Sequence, residues 1–166
     1  MQIKQKINPC LWFADQAEEA ANYYVGIFEN SRIREITRYS EVGHEAHGRP
    51  PGSVMTVRFE LDGCEFMALN GGPAFTFNEA ISLMVQCEDQ KEIDYYWEKL
   101  GAGGDPQAQV CGWLKDRYGL SWQINWKDTE DLWQDENSPR TKRAFAAMMQ
   151  MKKIDIAALK RAYEGS

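Results

Sequence analysis

A structural plan that runs twice constrains this chain more than anything else in its sequence. Residues 7–70 and 79–126 each read as a strand, a helix and then further strands ending in a hairpin. A duplicated unit of this kind builds its core by pairing two small modules, not by widening one sheet. In the first module, INPCLWF (7–13) is apolar and aromatic up to Asp15, where the period changes to one that suits a helix. Asp15 and Glu18 have the spacing of a capping box. Ala17, Ala20, Ala21, Tyr24 and Phe28 share a helical face, and the helix is expected to close near Asn30. Three strand-like runs follow: IREITRY from Ile33, SVMTVRFEL from Ser53 and CEFMALN from Cys64. Asp62-Gly63 supplies the positive backbone angles of a tight hairpin between the last two. The intervening GHEAHGRPPG reads as an exposed loop.

After NGGPAFTFN the order restarts. AISLMVQC is a strand, Asp89 with Glu92 repeats the cap, and EIDYYWEKL is helical up to Gly101. Both helices open Asp-Gln and both carry a Tyr-Tyr pair. GAGGDPQAQV reads as a turn with a short strand, and CGWLKDR and LSWQINW form a closing hairpin at Tyr118-Gly119. From Asp128 the repeat is abandoned for a tail with two expected helices, the second capped by Asp155 and ended by Gly165.

Composition removes several classes of function. The chain has 166 residues, with 19 basic against 25 acidic ones spread along its length, so no basic stripe is available to neutralise a phosphate backbone and no nucleic-acid partner is expected. No run approaches the ~18 apolar residues of a membrane span, and the start, MQIKQKINPC, lacks the apolar stretch of a secretory signal. A cytoplasmic protein is expected, with no membrane partner. Cys10, Cys64, Cys87 and Cys111 lie far apart without a C-x-x-C pair, which fits neither a zinc knuckle nor a disulfide framework.

The duplicated order, together with GGPAFTFNEAISLMVQCED, CGWLKDRYGLSWQIN and AFAAMMQMKKIDIAALKRA, resembles the vicinal-oxygen-chelate superfamily, which includes glyoxalases, bleomycin-resistance proteins and dioxygenases. Within it the likeness is to the PhnB-like branch, a family often named demethylubiquinone methyltransferase, and it covers nearly the whole chain. The resemblance implies an α+β fold of paired βαβββ modules, at residues 1–74 and 75–127, forming half-open barrels around a shared cavity. Residues 128–166 form a C-terminal helical extension, and a homodimer is implied. The methyltransferase name finds no sequence support. A nucleoside cofactor usually sits on a glycine-rich turn between a parallel strand and a helix, whereas Gly71-Gly72 follows a hairpin strand and Gly101, Gly103 and Gly104 end a helix.

Metal-dependent members of the superfamily place a ligand near the start of each module's first strand and another in each module's last strand, typically His and Glu. Aligning by the helix-opening aspartates and the hairpin glycines puts Asn8, Met67, Ser82 and Gln123 at those positions. Neutral amide, hydroxyl and thioether groups hold a divalent cation poorly, so no metal and no other cofactor is expected. His44 and His47 in H-E-A-H are three residues apart, but the flanking glycines and Pro50-Pro51 favour a flexible loop, and the motif is one residue short of H-E-x-x-H.

Strand alternation puts Gln123 on one face with Ser121 and Asn125, and turns Trp122, Ile124 and Trp126 toward the helices. With Asn8, Met67, Asn70, Ser82, Cys111 and Trp113, Gln123 is expected to line an aromatic cavity with a few neutral hydrogen-bonding groups, suited to a small amphipathic molecule. For Cys111 an inert thiol is the favoured reading, since no base accompanies it. Asp116 is read as a hairpin residue, and Arg58 and Glu60 as solvated or cross-strand paired. Met148, Met149 and Met151 suit either a core or a partner subunit. Three functions remain open: metal-free binding of a small hydrophobic or aromatic molecule, a glyoxalase- or dioxygenase-like enzyme (lyase, oxygenase or transferase), and a structural dimer with a vestigial pocket.

Overall fold

Each sequence module folds around its own sheet in a computed structural model that describes residues 5–166. The chain divides into two compact units, one ending at Thr76 and the other beginning at Phe77.

In the first unit, β1 (Cys10–Phe13) leads into α1 (Ala17–Val25), followed by β2 (Arg32–Arg38), a one-turn helix α2 (His44–His47), β3 (Val54–Leu61) and β4 (Cys64–Asn70). The sheet order is β1-β4-β3-β2, with β1 parallel to β4 and the other neighbours antiparallel. Alternation sorts the side chains: Leu11, Phe13, Val57, Phe59, Leu61 and Ala68 are buried under α1, which contributes Ala17, Ala20, Ala21 and Tyr24. Small alanines let the helix approach the sheet, and the Tyr24 ring stacks on Phe59 at 6.4 Å. Asp62 and Gly63 both have positive φ, as the hairpin requires.

Three local expectations are corrected here. The helix ends at Val25, five residues earlier than expected, and Ile27, not Phe28, is the residue buried after it. Asp15 does not cap α1: Gln16 holds the cap position without a side-chain bond, and Asn70 Oδ1 accepts from Ala17 N at 2.8 Å. The histidine loop contains a helical turn bracketed by Gly43 and Gly48, both at positive φ, which let the chain enter and leave a single turn.

In the second unit, β5 (Ser82–Cys87), α3 (Gln90–Gly101), β6 (Trp113–Lys115) and β7 (Ser121–Trp126) repeat the topology as β5-β7-β6, again with the first strand parallel to the last. The short strand expected in GAGGDPQAQV is reduced to a 3-10 turn at Pro106–Ala108 and a single bridge, Val110 to Trp113. A proline and tight turns leave no length for a ladder. The second capping box is present, with Glu92 N donating to Asp89 Oδ1 at 3.0 Å and Glu88 N donating to Glu92 Oε2 at 2.7 Å. Ile93 and Leu100 of α3 are buried with Leu114, Trp122, Ile124 and Cys87 of the sheet.

The tail forms a 3-10 segment (Lys127–Trp133), α4 (Pro139–Met148) and α5 (Ile156–Glu164). Asp155 Oδ1 accepts from Ala158 N at 2.9 Å, and Gly165 ends α5 in the left-handed region, both as expected. Gln90 ties the tail to α3: its amide donates to Ile154 O at 3.0 Å and accepts from Ile156 N at 2.9 Å.

Candidate functional site

On the β5-β7-β6 sheet, register puts Met84, Gln123 and Trp113 side by side on the face that α3 does not cover. Gln123 Nε2 donates to Ser82 Oγ at 2.9 Å, so two of the four aligned positions meet directly. Ser82, Gln123 and Trp113 are half-buried and Met84 is 56% exposed. The face offers an indole, a thioether, a hydroxyl and an amide, none of them charged. Ser121, in register with both Ser82 and Lys115, is buried, and its hydroxyl has no partner among the described residues.

On the first unit's sheet, Asn8 and Met67 line one depression of about 110 Å³ with Cys10, Arg58 and Glu65. Its floor is charged. Asn8 Nδ2 donates to Glu65 Oε2 at 3.4 Å, Arg58 bridges Glu35 and Glu65, and Glu60 accepts from Arg32 and Arg34. These pairs connect neighbouring strands, in line with the cross-strand reading of Arg58 and Glu60.

Asn70 and Cys111 are committed elsewhere. Asn70 is buried. Its oxygen caps α1, its Nδ2 donates to Val54 O at 3.1 Å, and its carbonyl accepts from Tyr39 Oη at 2.6 Å. Cys111 lies on a turn before β6, not on the strand, at φ 49°. Its backbone N–H donates to Met151 O at 2.8 Å, and its thiol meets Met148 O at 3.4 Å and Met149 Sδ at 3.9 Å. Cys111 therefore faces the tail and does not share a strand face with Trp113.

Other chemical candidates have structural work. Asp116 is buried: Oδ1 accepts from Tyr118 N at 2.8 Å and Leu120 N at 3.1 Å, and Oδ2 from Trp122 Nε1 at 2.9 Å. It shapes the hairpin, as its position suggested. Burial, with Glu92 and Asp89 nearby, pushes the Cys87 thiol up to about 12, far from a reactive thiolate. His44 is exposed, and His47 leans on Tyr39 with ring centroids 4.5 Å apart.

One close approach escapes sequence reading. The Trp12 indole donates to Gly72 O at 2.8 Å and lies against Gly71 so closely that any Cβ there would overlap the ring. Only contact geometry reveals why the pair of glycines follows β4.

Residues 5–125 match the family model described as 3-demethylubiquinone-9 3-methyltransferase. The chain belongs to this PhnB-like family. A PhnB protein from Bacillus cereus, provisionally named for the same methyltransferase, is 39% identical over 74% of this chain and 99% of its own, with TM-score 0.64. The fold is also that of the fosfomycin resistance protein FosX from Mesorhizobium loti (15% identity, TM-score 0.53, covering 80% of this chain and 100% of that one). Protein PA1353 from Pseudomonas aeruginosa shares it too (19% identity, TM-score 0.56, 75% and 98% covered). PhnB and FosX are members of the vicinal-oxygen-chelate superfamily. No curated protein matches the chain significantly.

The PhnB-like chain does not fit the groups that its relatives' chemistry would imply. At the superfamily's metal positions stand an amide engaged with Glu65, a thioether, and a hydroxyl and amide bonded to each other. Among the described residues no three His, Cys, Asp or Glu side chains are grouped to hold an ion. A nucleoside methyl donor fits no better. The turns joining the parallel strands to their helices, Ala14–Gln16 and Glu88–Asp89, contain no glycine, so neither forms the glycine-rich turn on which a nucleoside cofactor usually sits. Among the described residues no helix is long and apolar enough to cross a membrane.

Proposed function

We propose that this PhnB-like protein binds a small, uncharged hydrophobic or aromatic molecule without a metal, on the sheet face that carries Ser82, Trp113 and Gln123. The observation that carries this reading is the Gln123–Ser82 hydrogen bond beside Trp113 and Met84. Gln123 donates to Ser82 and keeps its carbonyl oxygen as an acceptor, Ser82 keeps its hydroxyl proton as a donor, and the indole offers a flat apolar surface with one N–H. Such a surface orients a neutral ligand by two or three directional bonds and gains affinity from ring contact. Among the described residues the face carries no ionisable side chain beside Ser82 to activate its hydroxyl, which favours capture over turnover. A homodimer in the cytoplasm belongs to the same proposal.

The test is a thermal-shift screen of neutral aromatic and quinone-like compounds on protein purified without added metal, with metal content measured in parallel. A ligand present at about a hundred times its Kd stabilises the native state by about 2.7 kcal/mol, a rise of about 5–10 °C in Tm for a chain of this size. Trp113→Ala and Gln123→Leu remove most of that shift. Stoichiometric bound metal, or a shift unchanged in both variants, refutes the assignment.

A further inference from the structure

The C-terminal extension lies beyond residues 5–125, the span that the family model matches, and it has a cleft of its own. This cleft, of about 470 Å³, is lined by Trp133, Glu136, Thr141, Lys142 and Phe145, so its volume falls in the range of small-molecule sites. Its walls are fixed. Thr141 Oγ1 donates to Leu132 O at 2.8 Å, tying α4 to the 3-10 segment, and Leu132 and Ala144 are buried between them. Arg143 donates to Ala162 O and Tyr163 O, both at 2.9 Å, which fastens α4 to α5. A site held in this way loses little entropy when it is filled.

Two features define what the cleft accepts. The rings of Trp133 and Phe145 meet edge to face, 5.9 Å apart at 80°, forming a right-angled corner. A third flat ring can stack on one wall and present its edge to the other, and Phe145, 51% exposed, gains most from being covered. Charge is the second feature. From residue 128 to 136 the chain carries Asp128, Glu130, Asp131, Asp135 and Glu136 without a Lys or Arg, and the last of them lies in the cleft. Three nearby cations are engaged elsewhere: Lys127 pairs with Glu88, Arg140 lies over the Tyr163 ring, and Arg143 binds the end of α5. Among the described residues no ion pair engages Glu136. Lys142 lines the cleft as well, which disfavours more than one positive charge on the occupant.

We infer that the Trp133–Phe145 cleft is a second binding site, for a small aromatic compound bearing one ammonium group, with its ring in the aromatic corner and its charge against Glu136. A cation beside an indole face and a carboxylate is held by both. The site is separate from the Ser82–Gln123 face and does not rest on the function proposed for it.

Calorimetric titration of the full-length protein with tryptamine, and with indole-3-propionate as a probe of the same ring and opposite charge, tests this. Tryptamine is expected to bind saturably at one site and the anion about tenfold more weakly or not at all. Glu136→Gln, at an exposed position, is expected to lower tryptamine affinity about tenfold without moving Tm. Trp113→Ala and Gln123→Leu are expected to leave tryptamine binding unchanged. The inference is overturned by absence of saturation at millimolar tryptamine, by equal affinity for both probes, by an indifferent Glu136→Gln variant, or by loss of tryptamine binding in the Trp113 and Gln123 variants.

Discussion

Cys87 shows how burial alone assigns a residue its role. Its thiol sits under α3 with acidic neighbours, so the proton is held up to about 12, against about 8.5 for a free thiol. The folded state keeps a proton that the unfolded chain releases. The stabilisation is therefore complete below the unfolded value and is lost as pH rises through the interval up to about 12. Wild-type stability is expected to fall by about 2 kcal/mol more than that of Cys87→Ala between about pH 8 and pH 10.5, read from denaturant midpoints. Equal slopes in the two proteins would mean that the thiol titrates normally. Sequence reading found Cys87 to be one of four widely spaced cysteines outside any zinc knuckle or disulfide framework but could not separate it from Cys111, because the difference lies in what packs over each sulfur.

The two helices that open alike are capped by different means. In α3 the box of Asp89 and Glu92 closes locally, as the spacing requires. In α1 the same letters do not close, because Asn70, arriving from the end of β4, takes the first amide. One side chain thus joins α1, β3 and β4, and the Tyr39 hydroxyl on its carbonyl brings in the chain just past β2. Asn70→Ala is expected to destabilise the protein by about 2–3 kcal/mol, combining a lost cap with an unpaired Val54 carbonyl. Asp15→Ala should cost under about 0.5 kcal/mol. Chemical denaturation of both variants checks this, and the reverse ranking would restore Asp15 as the cap. A capping box is a short-range pattern, so its failure in α1 could not be seen without the partner that displaces it.

At the scale of the whole molecule the repeat is unequal. Among the described residues the first unit has four strands and the second three, with a single bridge where a fourth would pair, and the second unit instead carries the helical extension. The extension docks through backbone bonds from Cys111 and Gly112 to Met151 and Lys152, at 2.8 and 2.7 Å, so the methionine segment is tied to the turn that opens β6. Met149 is nonetheless 48% exposed, and Val110 50%. The proposed homodimer would cover these side chains. Sedimentation velocity at micromolar concentration is expected to give a species of twice the chain mass, and Met149→Glu to shift it toward monomer. A wild-type monomer would remove the dimer from the proposal.

The sequence by itself determined the duplicated α+β plan, the closing hairpins at Asp62-Gly63 and Tyr118-Gly119, the caps at Asp89 and Asp155, and the neutral groups at the four aligned positions. These follow from short-range periodicity and turn chemistry, which act between near neighbours. Tertiary structure alone decided that Ser82 meets Gln123, that Asn70 caps α1, that Cys111 faces the methionines, and that Trp12 requires Gly71. Each of these contacts joins residues at least 37 apart in the chain. Register and packing set such contacts, and no local pattern encodes them. The cleft at Trp133 and Phe145 was not legible either: its two rings stand twelve positions apart on different elements, and only the folded tail brings them to a right angle.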